Sequence, residues 1–205
     1  MAEWIPTAEE ILKKEFDIEV KHIRAQTTFK KQFYTVKQKG SRIGDIYGYP
    51  YIIGAWCNDR LKVGVLNKYD KSLNDRICHY IGIAYDEPRR YEKIKAKENK
   101  TVQYQSILYD NQITEQMAFD ICAEYNLVSP LYSYGAFRGG CWFCVKQCMS
   151  DIYSLWKDYP EYFNILLEME QDSRLTFKPN TTLPELAARF ESGYIPTRRK
   201  KRDSQ

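Results

Sequence analysis

The sequence has no apolar run long enough to span a bilayer, so a membrane helix is not expected. Its start, MAEWIPTAEE, lacks the basic and apolar segments of a secretory leader. A cytoplasmic location is therefore expected, where cysteines stay reduced and a cluster of them points to metal or redox chemistry rather than disulfides. Glycine is missing before Gly40, and cysteine is missing after Cys148. The first absence excludes a glycine-rich phosphate cradle from the opening 39 residues. The second excludes a thiol nucleophile from the C-terminal quarter. The glycine-bearing stretch 40–50 (GSRIGDIYGYP) has neither the lysine and Ser/Thr of a P-loop nor a strand feeding into it, and reads as a corner-turning loop.

What is present is a folded-protein composition, 43% hydrophobic and 15% aromatic over 205 residues, enough for one domain with a real core. The net charge of +4 is misleading, because residues 198–205 (RRKKRDSQ) hold five basic residues and one acid. Without them basic and acidic residues are equal in number. A neutral body argues against a large electrostatic footprint for nucleic acid, leaving only the tail to touch a polyanion.

Three of the six cysteines fall in residues 138–148, RGGCWFCVKQC. Cys141, Cys144 and Cys148 are spaced to lie on one helix face, which a core stripe would also satisfy. A Cys-x-x-Cys pair with a third thiol one turn on also suits a soft metal or iron–sulfur site. Such a site needs a fourth ligand. Cys57 is placed at a predicted helix start over residues 56–71, with Asn58 as cap, where a helix dipole would favour thiolate. Arg60 and Lys62 project from the same turn. Cys78, His79 and Cys122 read as packing residues, and His22 as a half-exposed strand residue.

Along the chain, residues 6–16 read as a helix capped by Thr7, 18–25 (IEVKHIRA) as a strand and 27–38 as a helix. Residues 77–85 (ICHYIGIAY) read as a buried strand running into Asp86, Glu87, Pro88, Arg89 and Arg90. Asp86 looks like a cap, and the two arginines suit equally a solvated face and the place where an open α/β sheet binds an anionic ligand. Residues 102–109 read as a strand. Residues 114–125 read as a helix capped by Thr114, with Met117, Ala118, Ile121 and Cys122 inward. Three further helices are expected at 148–158, 160–170 and 183–190. This alternation predicts an α/β class with a mainly parallel open sheet and flanking helices, ending in a C-terminal helical segment. The domain layout expected is 1–150 for the α/β body, 151–192 for a helical extension and 193–205 for a disordered basic tail.

Several stretches in order resemble the phosphoadenylyl-sulfate (PAPS) reductase-like family of adenine-nucleotide α-hydrolase-like proteins. They are Gly48-Tyr49-Pro50, Trp56-Cys57 with Leu61-Lys62, the strand ending in Asp86-Glu87 with Arg90, Ile113-Thr114-Glu115, residues 127–131, and Arg138 through Cys144. The likeness covers residues 3–148 and is greatest to the reductase-like branch found in bacterial and phage genomes. It implies a parallel sheet that binds an adenine nucleotide at the carboxyl ends of its strands. Asp86, Glu87, Arg89, Arg90, Arg60, Lys62 and Arg138 would serve as substrate-binding residues. It also implies a [4Fe–4S] cluster, with Cys57, Cys141 and Cys144 matching the family's ligands and Cys148 replacing the one lost. Zinc would accept the same four sulfurs. The family's first strand and Ser-Gly-Gly-Lys-Asp-Ser phosphate loop have no counterpart, so the sheet is expected to be truncated on its N-terminal side. A partner is then expected, either a separately encoded loop-bearing subunit or a second copy across the open edge. Two other roles stay open, a non-catalytic metal-stapled binding protein and a component of nucleic-acid sulfur modification.

Overall fold

The structure is a computed structural model and describes residues 4–40, 42–133 and 139–197. Helix α1 covers Trp4–Phe16 and α2 covers Phe29–Phe33. The short α3, Trp56–Asn58, runs without a break into a π-helical turn, Asp59–Val63, and then into α4, Gly64–Leu73. Strand β1 (Ile77–Tyr80), helix α5 (Pro88–Lys95) and strand β2 (Val102–Gln105) follow. Next come α6 (Ile107–Asp110), α7 (Glu115–Glu124) and α8 (Pro130–Ser133). The chain closes with α9 (Met149–Asp158), α10 (Pro160–Gln171) and α11 (Leu183–Glu191).

These elements fall into two compact units. The described residues of the first are 4–22 and 68–133, and those of the second are 23–40, 42–67 and 139–197. This differs from the expected division at residue 150, because α9 to α11 belong with residues 23–67 rather than forming an appendage. Nor is 193–197 a loose tail. The Tyr194 N–H donates to the Arg189 carbonyl at 3.0 Å, the Arg189 guanidinium lies 4.5 Å from the Tyr194 ring centre, and Pro196 is buried. The basic run 198–205 lies outside the described residues.

The first unit holds a parallel pair in which Ile77 faces Val102 and Tyr80 faces Gln105, with α5 as the crossover. Among the described residues the sheet has these two strands alone, and the protein is a mixed helix-and-strand fold with a parallel β-α-β unit. Pro88 fits the first turn of α5, where no backbone donor is needed. Ser106 ends β2 by donating to the Ile83 carbonyl at 2.7 Å and accepting from the Tyr109 N–H at the start of α6. Thr114 caps α7 as expected, accepting from the Met117 N–H at 3.3 Å. Helices α1, α4 and α7 each run out into a positive-φ residue, Asp17, Asn74 and Asn126, the residue types that tolerate left-handed backbone.

Several expectations for this unit are corrected. Residues 18–25 form no strand; Ile18 and Val20 are exposed with no ladder partner. The first strand stops at Tyr80 and alternates half-buried and exposed residues, because successive side chains point to opposite faces and only one face is covered. Thr7 lies inside α1 and not at its cap. Met117 and Ile121 of α7 are exposed, as is Cys78.

The second unit carries the core. Phe33, Ile152, Phe163, Leu166, Phe177, Leu183 and Leu186 are almost wholly buried in one cluster. Its polar centre is Glu170, whose carboxylate accepts the backbone N–H of Phe177 at 2.6 Å and of Leu183 at 2.7 Å. One buried carboxylate thus satisfies two donors of the segment that joins α10 to α11. Thr182 and Glu185 form a reciprocal capping box at the start of α11. The helix expected over 27–38 is shortened to α2, since Val36 leaves it to bridge Ile46 in an antiparallel turn.

Candidate metal centre

All four cysteines expected to act as ligands belong to the second unit. Cys57 is the second residue of α3, half-buried, and packs against the aromatic core. The 141–148 segment comes from the other end of that unit's sequence and is built as two successive tight turns. The Cys144 N–H donates to the Cys141 carbonyl, and the Gln147 N–H to the Cys144 carbonyl, each at 3.0 Å. The Gln147 side-chain amide clasps the same loop from inside, donating to the carbonyls of Cys141 and Trp142 at 3.2 and 2.8 Å. The Lys178 ammonium holds its far side, donating to the Val145 carbonyl at 2.7 Å and to that of Gln147.

Phe29 of α2 joins the two halves. It stacks on Trp56 with ring centres 5.1 Å apart and on Phe143 with centres 4.2 Å apart. Trp56 immediately precedes Cys57, and Phe143 immediately precedes Cys144. One buried ring therefore aligns the segments that carry both thiols. Trp142 packs on Tyr162 of α10 at 4.9 Å, and the Trp56 indole N–H donates to the Gly48 carbonyl at 3.3 Å. Gly48 sits at φ +63°, a left-handed backbone that favours glycine, and a Cβ there would displace the Ser173 hydroxyl.

Burial pushes the Cys57 thiol up, and the nearby Cys144 and Cys141 push the same way. The Asn58 backbone amide and Lys62 pull it back by less. The expected lowering by a helix dipole is overturned. Asn58 does not cap the helix, which starts at Trp56, and burial of the thiol beside two other sulfurs outweighs the pull of the helix start. Cys57 is thus within electrostatic reach of Cys144 and Cys141. Cys148 stands apart, at the N-cap of α9, its sulfur 3.0 Å from the Ser150 hydroxyl. Among the described residues no three His, Cys, Asp or Glu side chains are drawn together tightly enough to hold an ion as they stand. Thiols are the donor type a soft metal takes, and all four belong to this unit, with Cys57 near Cys144 and Cys141 and with Cys148 at the start of α9.

The expected substrate-binding residues are dispersed over both units. Arg60, in the π turn, donates to the Tyr47 hydroxyl at 2.7 Å and lies over the Tyr47 ring at 4.4 Å. Lys62 is exposed on the same turn. The turn is kept open by Gly64, where a side chain would collide with the Asp59 carbonyl; π turns of this kind are common at functional sites. In the first unit, Asp86 is no helix cap. Its carboxylate accepts the Glu115 N–H at 3.0 Å, tying the loop after β1 to α7. Glu87 takes the cap position of α5, and both its oxygens accept from Arg90, at 3.1 and 2.9 Å. Arg90 is thus committed to an internal pair, while Arg89 is exposed on the first turn of α5. Arg138 lies outside the described residues. His79, expected to be a packing residue, is half-buried, bonded to Asp70 at 2.9 Å and stacked on Tyr104.

Sequence reasoning missed Phe29, Gln147 and Lys178 as supports of the cysteine loop. A usable signal was the aromatic residue directly before Cys57 and directly before Cys144, Trp56 and Phe143.

No protein-family profile and no solved structure matches the chain. The chain is 32% identical over 114 residues to an uncharacterized nin region protein, ORF290, of Escherichia phage lambda. That stretch is 55% of this chain and 36% of the relative, so the chain spans about a third of the relative's length. Among the described residues no helix is long and apolar enough to cross a membrane.

Proposed function

We propose that this protein is a PAPS reductase-like α/β chain whose second unit holds a soft-metal centre, a [4Fe–4S] cluster, on Cys57, Cys141, Cys144 and Cys148. The observation that carries this reading is the Phe29 ring, stacked on both Trp56 and Phe143, which brings the Cys57 and Cys144 segments to one place. The charging cost that burial and two neighbouring sulfurs impose on the half-buried Cys57 thiol is what a cation would relieve. When bound, such a cluster supplies a compact charged group able to exchange electrons beside the substrate. Gln147 and Lys178 fix the ligand loop, and Arg60 and Lys62 place positive charge one turn from Cys57.

The proposed activity is that of a sulfonucleotide reductase or sulfurtransferase-type enzyme acting on an adenine nucleotide. The phosphate loop would come from residues outside this sequence. The first unit is consistent with a partner, because among the described residues its β-α-β pair has two open edges and Ile18, Val20, Tyr80 and Ile107 are exposed. In this reading the pair is the remnant of a larger, mainly parallel open sheet.

The test is the spectrum and metal content of protein purified without oxygen. Visible absorbance bleached by dithionite, lost in Cys57→Ser and Cys144→Ser, is the expected result. A colourless chain with one zinc would replace the cluster by a structural staple. Absence of any metal would overturn the four-cysteine assignment.

A second reading, a metal-stapled binding protein without catalysis, is favoured by the closed Glu87–Arg90 pair, which occupies an arginine expected to meet substrate. Micromolar binding of an adenine nucleotide by the isolated chain would count against it.

A further inference from the structure

The loop over residues 40–50, read from sequence as turning a corner, instead forms one wall of a cavity of about 220 Å³ in the second unit. The Lys37 N–H donates to the Asp45 carbonyl at 2.8 Å, and the Gly44 N–H returns to the Lys37 carbonyl at 3.1 Å, closing a hairpin. The opposite wall is the turn after α10, with Asp172 and Arg174.

Five charged side chains line this cavity, three of them cationic, and their pairing leaves a positive excess. Asp45 is taken by Arg174 at 3.4 Å. Asp172 accepts the Tyr34 hydroxyl at 2.8 Å. The Lys37 ammonium faces the Tyr47 ring at 5.6 Å, and the Arg42 guanidinium donates to the Tyr51 hydroxyl at 3.1 Å. Among the described residues neither Lys37 nor Arg42 has a carboxylate partner. Beyond the Asp45–Arg174 pair, Lys37 and Arg42 outnumber the one remaining carboxylate, Asp172, and this positive excess on a concave rim attracts an oxyanion; an arginine fork suits a phosphate in particular. Asp172 keeps a lone pair for a ligand hydroxyl. The volume falls below the roughly 300–1,000 Å³ usual for drug-sized ligands, and a sugar phosphate is of the right order.

We propose that this cavity is a binding site for a small phosphorylated metabolite of sugar-phosphate size, with Lys37 and Arg42 on the phosphate and Asp172 on a hydroxyl. None of the cysteines lines the cavity. Titration calorimetry of the full chain, with ribose 5-phosphate and with inorganic phosphate as probes, tests it. Saturable binding of ribose 5-phosphate is expected, weakening with added salt and falling about tenfold or more in Lys37→Gln and in Arg42→Gln. In Asp172→Asn the preference for ribose 5-phosphate over inorganic phosphate should shrink. Both cations are at least partly exposed, so the variants should keep the wild-type circular dichroism and metal content. No saturable binding of either probe, or binding that both glutamine variants leave unchanged, would overturn the site.

Discussion

Phe29 and Phe143 lie stacked, with ring centres 4.2 Å apart and planes 26° from parallel, although 114 residues of chain separate them. Together with Trp56 on the same ring, this contact sets the distance between the two cysteine segments. Truncating a buried phenylalanine costs about 3–5 kcal/mol, so Phe29→Ala should lower the denaturant midpoint strongly. Phe29→Leu is the sharper probe. It keeps most of the apolar volume, and should hold stability closer to wild type while metal stoichiometry falls. Retention of full metal content in Phe29→Leu would show that the stack does not govern the site.

Lys178 acts on the same loop through its carbonyls. Outer supports of a metal site are typically worth about 10–100-fold in affinity. Lys178→Met should weaken metal retention by that order in a chelator competition, with the apo protein's unfolding curve changed far less.

Glu170 is a stability determinant with no part in the site. Removing its carboxylate leaves the buried N–H groups of Phe177 and Leu183 unanswered, at roughly 1–3 kcal/mol each. Glu170→Ala should therefore lose several kcal/mol in urea unfolding, and Glu170→Gln less, since one amide oxygen can still accept.

Tyr34 predicts an alkaline limit. Burial and its hydrogen bond to Asp172 push its pKa up from 10.0 to about 12. A folded-state pKa above the unfolded one means the stabilisation is complete below pH 10.0 and is lost as the pH climbs through about 12. Tyr34→Phe should flatten that part of the stability–pH curve relative to wild type. Parallel curves for the two proteins between those limits would contradict it.

Local chemistry was legible without the fold. Thr114 and Pro88 mark helix starts, Tyr159-Pro160 marks the break between α9 and α10, and the helix over 183–190 was readable from its period. These signals act within a turn or two of chain, where propensity and capping suffice. Residues 18–25 show where the same reasoning stops. Their alternation suits a strand, but a strand needs a neighbour to receive its hydrogen bonds, and none is provided among the described residues. Cys57 likewise could be placed at a helix start, yet the sign of its pKa shift depended on burial and on sulfur atoms more than 80 residues away in sequence.

The sequence by itself determined which residues could be ligands, where most helices begin and end, and that the chain mixes helices with parallel strands. Tertiary structure decided the rest. It divided the chain into interleaved units, joined Cys57 to Cys144 through the Phe29 ring, spent Arg90 on Glu87, and turned a glycine-rich corner into a charged cavity. Each of these is a contact between distant segments, and such contacts are settled by shape and burial, which local residue pattern does not encode.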